Sequence, residues 1–209
     1  MVSQSHVPTT SSDPTRQAVS RGRRFSAQDL ALVAMFAALI AVLGMPGGVF
    51  VAGLAVPITL QTLGVALAGA VLGWRRGAAA VLLLLLLCLI GLPVMSGGRG
   101  GPSVFAGASV GYLLAWPMAA ALIGFLVQSR LPRPTFWWVL VSCVAGSVVV
   151  HALGIPGMML RANLDFAAAV KADAVFLPGD AVKTVVAASI ATAVHRANPG
   201  LTRSLLHRG

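Results

Sequence analysis

The sequence predicts an all-α integral membrane protein, a bundle of six transmembrane helices with both termini in the cytoplasm. Three observations predict it. Of the 209 residues, 57% are hydrophobic and only 10% charged, against about 25% charged in a soluble domain. The apolar residues fall in runs that approach the ~20 residues needed to cross ~30 Å of hydrocarbon. The basic residues concentrate on alternate connections. A sequence pI near 11.7 would suit a nucleic-acid binder, but in a chain this apolar the arginines are topology signals. The expected partner is the lipid bilayer, with no nucleic acid.

Residues 1–26 are polar, rich in Ser and Thr, and end in "SRGRRFS". This composition predicts a disordered basic cytoplasmic tail. "RRF" is similar to a twin-arginine export signal, but several apolar segments follow and no A-x-A cleavage site closes the first. The six predicted spans are 28–44, 57–73, 78–95, 104–127, 136–155 and 174–195, within one substrate-binding domain at 27–197. Residues 45–56, "MPGGVFVAGLAV", are too short to span and open on Pro-Gly-Gly. They are expected to fold back as a loop against the bundle, because irregular backbone at membrane depth has to be buried in protein. Residues 198–209 form a second basic cytoplasmic tail.

The charges test this topology. Arg16, Arg21, Arg23, Arg24, Arg75, Arg76, Arg130, Arg133, Arg196, Arg203 and Arg208 fall on the side of the termini. Arg99, Arg161 and Lys171 fall on the other. That asymmetry puts the termini and the even-numbered loops inside. Two outward loops stand out. Residues 91–103, "GLPVMSGGRGGPS", are nearly all turn formers around Arg99. Residues 156–173 carry Arg161, Asp165, Lys171 and Asp173 with no net charge. In the first span, Ala34 with Ala38 and Ala37 with Ala41 are small-x-x-x-small pairs, suited to internal packing or to docking another membrane protein. Cys88 and Cys143 lie far apart in apolar runs and are expected to pack as small apolar side chains.

Candidate chemistry is sparse. The chain has five acidic residues, all aspartate. In "FLPGDAVK" (176–183), Pro178 and Gly179 precede a last helix whose first turn holds Asp180, where a carboxylate suits the helix dipole. Lys183 opposes that dipole and enters the apolar zone, where a charge costs at least ~2.5–3.5 kcal/mol unless paired or hydrated. Three apart, the two side chains share a helix face and predict a polar pocket near the outer surface. Aspartate suits N–H donors; lysine suits a carboxylate or carbonyl. "GASVG" (107–111) has the G-x-S-x-G spacing, but a nucleophile elbow needs a strand before a helix. The enzyme alternative is an intramembrane serine hydrolase using Ser109 with His151 as base. The plainer reading is small residues for packing and a lone histidine near the outer boundary. "GGRGG" (97–101) lacks the G-K-[ST] end of a phosphate loop and is read as a lid, with Arg99 placed to meet an anion. No His/Cys/Asp cluster has metal spacing. No cofactor, metal or catalytic residue is expected, and the chain is read as a binding subunit or small transporter rather than an enzyme.

"VPITLQTLGVALAGAVLG" (56–73), "GLPVMSGGRGGPS" (91–103), "GASVGYLLAW" (107–116) and "FLPGDAVK" (176–183) together resemble the BioY family, the biotin-binding S components of energy-coupling-factor (ECF) vitamin transporters. The resemblance implies biotin capture at the outer face of a prokaryotic cytoplasmic membrane. It also implies partners: a transmembrane T component and two ATPases. It implies a site under loops 1–2 and 3–4, in which Asp180 receives ureido N–H groups beside Lys183. Tyr112 would pack on the rings, Thr59 and Gln61 would lie near the pocket floor, and Arg99 is a candidate for the valerate carboxylate. The Ala34/Ala38 and Ala37/Ala41 pairs resemble the family's docking face. The family often reads G-P-T-G-G-Y where Gly107 to Tyr112 stand here. Ser109 keeps a hydroxyl in the pocket stretch, while Ala108 and Val110 depart. The alternative within the same fold is an S component or small transporter for another carboxylated vitamin or metabolite.

Overall fold

In the computed structural model, residues 25–48, 56–198 and 205 are described. They form seven α-helices and one short 3-10 helix. These are α1 (Ala27–Gly44), α2 (Gln61–Leu72), α3 (Trp74–Leu89), the 3-10 turn Pro102–Ala106, α4 (Val110–Gln128), α5 (Phe136–Ala162), α6 (Phe166–Ala174) and α7 (Leu177–Ala197). The expected tails at 1–26 and 198–209 lie almost wholly outside the described residues, as do 49–55 of the expected folded-back loop.

Local chemistry sets the helix ends. Ser26 and Asp29 close a capping box on α1, with Asp29 N donating to Ser26 Oγ at 3.2 Å and Ser26 N to Asp29 Oδ2 at 2.9 Å. Thr135 caps α5 and Asp165 caps α6 through their side chains. Asn163, in the left-handed region at φ 50°, ends α5. Asp29 also meets Arg76 Nη2 at 2.8 Å, both side chains buried. One of the arginines read as a topology signal is therefore also a strut between α1 and α3.

Helices α1, α4, α5 and α7 are long and apolar enough to cross a membrane. The other two predicted spans are shorter. α2 has 12 residues and α3 has 16, and Gly73 alone joins them, at φ 81°. The predicted segment 57–73 loses its first turn because Val56–Leu60 is not helical; Val56 and Pro57 are buried there in protein. The segment 78–95 is cut at Leu89 by the glycine-rich hairpin. The expected loop 156–173 is mostly helix. α5 continues through it to Ala162, and α6 is a separate nine-residue helix. Its charges masked a run of good helix formers behind an aspartate cap.

The central helices pack on several neighbours: α4 on α2, α3 and α5, and α7 on α2 and α5. Small residues permit this. Ala68, Ala80, Ala115, Ala120, Ala187, Ala188 and Ala191 are fully or almost fully buried. Where α4 crosses α5, a Cβ on Gly157 would lie 2.6 Å from Gly111 Cα, so only glycine allows that approach. Cys88 and Cys143 are buried free thiols, as their apolar surroundings predict. Large apolar side chains such as Leu114, Met118, Phe125, Val148 and Val182 face outward, as on a surface that meets lipid.

Candidate functional site

One end of the bundle holds a cavity of about 630 Å³, its mouth included. Its walls are the 56–62 strip entering α2, the 95–99 hairpin, the starts of α4 and α7, and Val150 of α5. All seven residues singled out from the sequence line it: Thr59, Gln61, Arg99, Ser109, Tyr112, Asp180 and Lys183. They come from four separate stretches of chain.

Asp180 and Lys183 pair as their spacing predicts, with Nζ 2.6 Å from Oδ1. Lys183 Nζ also donates to the Thr59 carbonyl at 2.9 Å and to Thr62 Oγ1 at 3.0 Å. An ammonium has three donors, so Lys183 is saturated by protein. The lysine is thus a clamp that ties α7 to the strip before α2 and gives Asp180 a paired cation in an apolar setting. Asp180 Oδ1 also accepts from Thr62 Oγ1 at 3.3 Å. Its Oδ2 lies 3.3 Å from His151 Nε2, within ion-pair range but outside good hydrogen-bond geometry. The hydrogen bonds this carboxylate accepts among the described side chains go to Oδ1.

The other expected residues divide by what they already do. Gln61 is buried, and its Nε2 donates to the carbonyls of Val94 at 3.1 Å and Ile40 at 3.4 Å. It braces the hairpin against α1. Tyr112 donates to Asp173 Oδ1 at 2.7 Å and meets the Phe176 ring edge-on at 5.8 Å. Arg99 is exposed at the mouth, with Nε donating to the Ser96 carbonyl at 3.1 Å. It makes no ion pair among the described residues, which leaves its amino groups for an anion. Ser109 precedes α4 and makes no capping bond to it.

Sequence reasoning missed five members of the site. His151 Nδ1 meets Asp173 Oδ1 at 2.8 Å. With Nε2 facing Asp180, both ring nitrogens face carboxylates and neither serves Ser109. The Ser109–His151 hydrolase alternative is thereby corrected: the histidine is a bridge between two aspartates. Asp173 and Thr62 complete this network. Trp116 Nε1 and Ser96 Oγ line the cavity, are buried, and have no protein partner. An unpaired buried donor costs about 1–3 kcal/mol. The signals existed. In so apolar a chain every acid is suspect, and Trp116 stands one helical turn after Tyr112 on the same face.

The two alanine pairs of α1 face different ways. Ala34 and Ala38 are exposed, while Ala37 is buried and Ala41 packs against the core. Only the first pair presents a surface.

The profile of the BioY family matches residues 15–200. The chain belongs to the BioY family. It is 45% identical to the biotin transporter BioY of Rhizobium etli over 176 residues, covering 81% of this chain and 94% of that protein. It is 41% identical to that of Rhodobacter capsulatus over 192 residues, covering 87% and 99%. Its fold superposes on a crystal structure described as the S-component for biotin from an ECF-type ABC transporter. That match has a TM-score of 0.77 and 31% identity, and covers 84% of this chain and 95% of the other. This BioY-family chain is thus a multi-pass membrane protein of the S-component fold, a class that transports rather than catalyses.

Proposed function

We propose that the chain captures biotin at the outer face of a prokaryotic cytoplasmic membrane as the substrate-binding S component of an ECF-type transporter. The observation that carries this reading is the set of open polar atoms in the cavity. Asp180 Oδ2 is one acceptor. Trp116 Nε1 and Ser96 Oγ are buried donors without partners, and Arg99 offers its guanidinium at the mouth. A cyclic urea carries N–H donors and a carbonyl acceptor, and a valerate carboxylate adds an anion. Asp180 accepts the N–H groups, Trp116 and Ser96 meet the carbonyl, and Arg99 meets the carboxylate. Tyr112 and the apolar walls pack against the rings. Lys183 acts by fixing Asp180 rather than by touching the ligand.

The membrane path is proposed as six crossings with both termini cytoplasmic, α2 and α3 forming two short ones and α6 lying at the outer surface. The exposed Ala34/Ala38 pair on α1 is the proposed docking face for a T component, which works with two ATPases because the energy for uptake has to come from a nucleotide. Isothermal titration of the purified chain with biotin tests the ligand. Expected is stoichiometric binding that weakens at least tenfold in Asp180→Asn, a loss of ~1.4 kcal/mol or more. No binding by folded wild type transfers the cavity to another carboxylated vitamin or metabolite.

A further inference from the structure

A second cavity lies at the opposite end of α4, in the turn to α5. It is lined by Arg130, Arg133, Thr135, Trp137, Trp138 and Val141. α4 has 19 residues, or ~28 Å at ~1.5 Å per residue, close to the ~30 Å hydrocarbon thickness. If the ligand cavity opens at one membrane boundary, this one opens at the other.

Among the described residues, no carboxylate compensates the charges there. The four described carboxylates are engaged elsewhere: Asp29 with Arg76, Asp165 in capping α6, and Asp173 and Asp180 around His151. Arg130 and Arg133 pair with none of them. Arg130 Cζ instead lies over the Trp138 ring, 4.5 Å from its centroid, and Trp138 is pinned by Nε1 donating to the Leu126 carbonyl at 2.7 Å. Stacking leaves the guanidinium edge free to donate. Beside it Trp137 is 72% exposed, and along α5 the same face continues through Val141 (57%), Val144 (49%) and Val148 (60%). Two arginines therefore stand at the head of an apolar ridge, with an exposed tryptophan at the level where such rings anchor to the membrane interface.

We propose that this turn binds an anionic phospholipid. Its phosphate lies between Arg130 and Arg133, and one acyl chain follows the ridge Trp137–Val141–Val144–Val148. The ridge favours a lipid over an acidic protein segment, because its exposed side chains Trp137, Val141, Val144 and Val148 are apolar along its length. Arginine forks match phosphate oxygens, and basic pockets at the inner boundary recruit anionic head groups.

The test uses the full chain in phosphatidylcholine vesicles that contain a minor fraction of brominated-chain phosphatidylglycerol, or the same fraction of brominated phosphatidylcholine. Tryptophan fluorescence is the readout. Brominated phosphatidylglycerol is expected to quench wild type at least about twofold more strongly than brominated phosphatidylcholine. Arg130→Gln/Arg133→Gln is expected to abolish that preference while biotin titration reports an intact fold. Should the double variant not fold, Arg133→Gln alone, at an exposed position, is expected to reduce the preference. Equal quenching by the two lipids in wild type, or an unchanged preference in the variant, overturns the site. Loss of the preference on adding millimolar inorganic phosphate assigns the arginines to free phosphate and overturns the lipid. Loss only on adding an acidic peptide overturns it in favour of a protein partner.

Discussion

Lys183 shows how burial changes the meaning of a charge. From its position alone it reads as a ligand-binding cation, yet Asp180, Thr62 and the Thr59 carbonyl consume its donors. Lys183→Met keeps the bulk and removes the clamp. Isothermal titration should then show biotin affinity falling at least tenfold, ~1.4 kcal/mol, with Asp180 left without its ammonium. Unchanged affinity would reduce the clamp to a surface detail. Trp116 argues in the opposite direction. Its N–H is buried and unpaired among the described residues, so Trp116→Phe should weaken biotin about two- to twelvefold, the ~0.5–1.5 kcal/mol of one hydrogen bond. The unliganded Tm should not fall in step, since a costly orphan is removed together with some ring volume. A drop in Tm with unaltered affinity would make the tryptophan a packing residue.

Two contacts decide how the elements hold the site. Tyr112 of α4 lies against Gly154 of α5, where an added Cβ would meet Cδ1, Cε1 and Cζ of the ring. Gly154→Ala should therefore displace the tyrosine and cost about 1–3 kcal/mol by overpacking. Urea or thermal unfolding of the purified chain measures that cost, and a neutral result would mean that the ring moves freely. α6 is tied to the bundle by Asp173, which accepts from Tyr112 and meets His151. Asp173→Asn keeps the shape and removes the charge. Hydrogen exchange should then report earlier opening of Phe166–Ala174 than of α5, while α5 itself stays protected. The four long spans were legible from apolar runs, but α6 was not, because its alternating charges hide a helix that only the contact with Tyr112 and His151 makes worthwhile.

The whole molecule is a bundle with a pocket at one boundary and an arginine turn at the other. The basic-residue asymmetry predicts that the arginine end faces the cytoplasm, and labelling tests that directly. With Cys88 and Cys143 buried and replaced by alanine, Ser103→Cys should react with a membrane-impermeant maleimide on intact cells. Ser129→Cys should react only after lysis. The reverse pattern would invert the proposed topology. The docking face is a claim at the same scale. Ala38→Trp on the exposed face of α1 should leave biotin binding unaltered and abolish uptake by cells that supply a coupling module. Uptake at the wild-type rate would remove α1 from that role.

The sequence by itself determined the membrane class, the positions of the long helices, the family, and the local Asp180–Lys183 pair. Each is written in short-range pattern: hydrophobic runs, small residues, and two charges three positions apart on one helix. Only the tertiary structure decided which polar atoms remain open. Thr59, Gln61, His151 and Asp173 make hydrogen bonds to segments far away in sequence, while Ser96 Oγ and Trp116 Nε1 make none among the described residues. Spacing along a chain shows which side chains share a face. It does not show which donors a neighbouring helix has already satisfied, and in a medium without water that difference separates a structural clamp from a ligand contact.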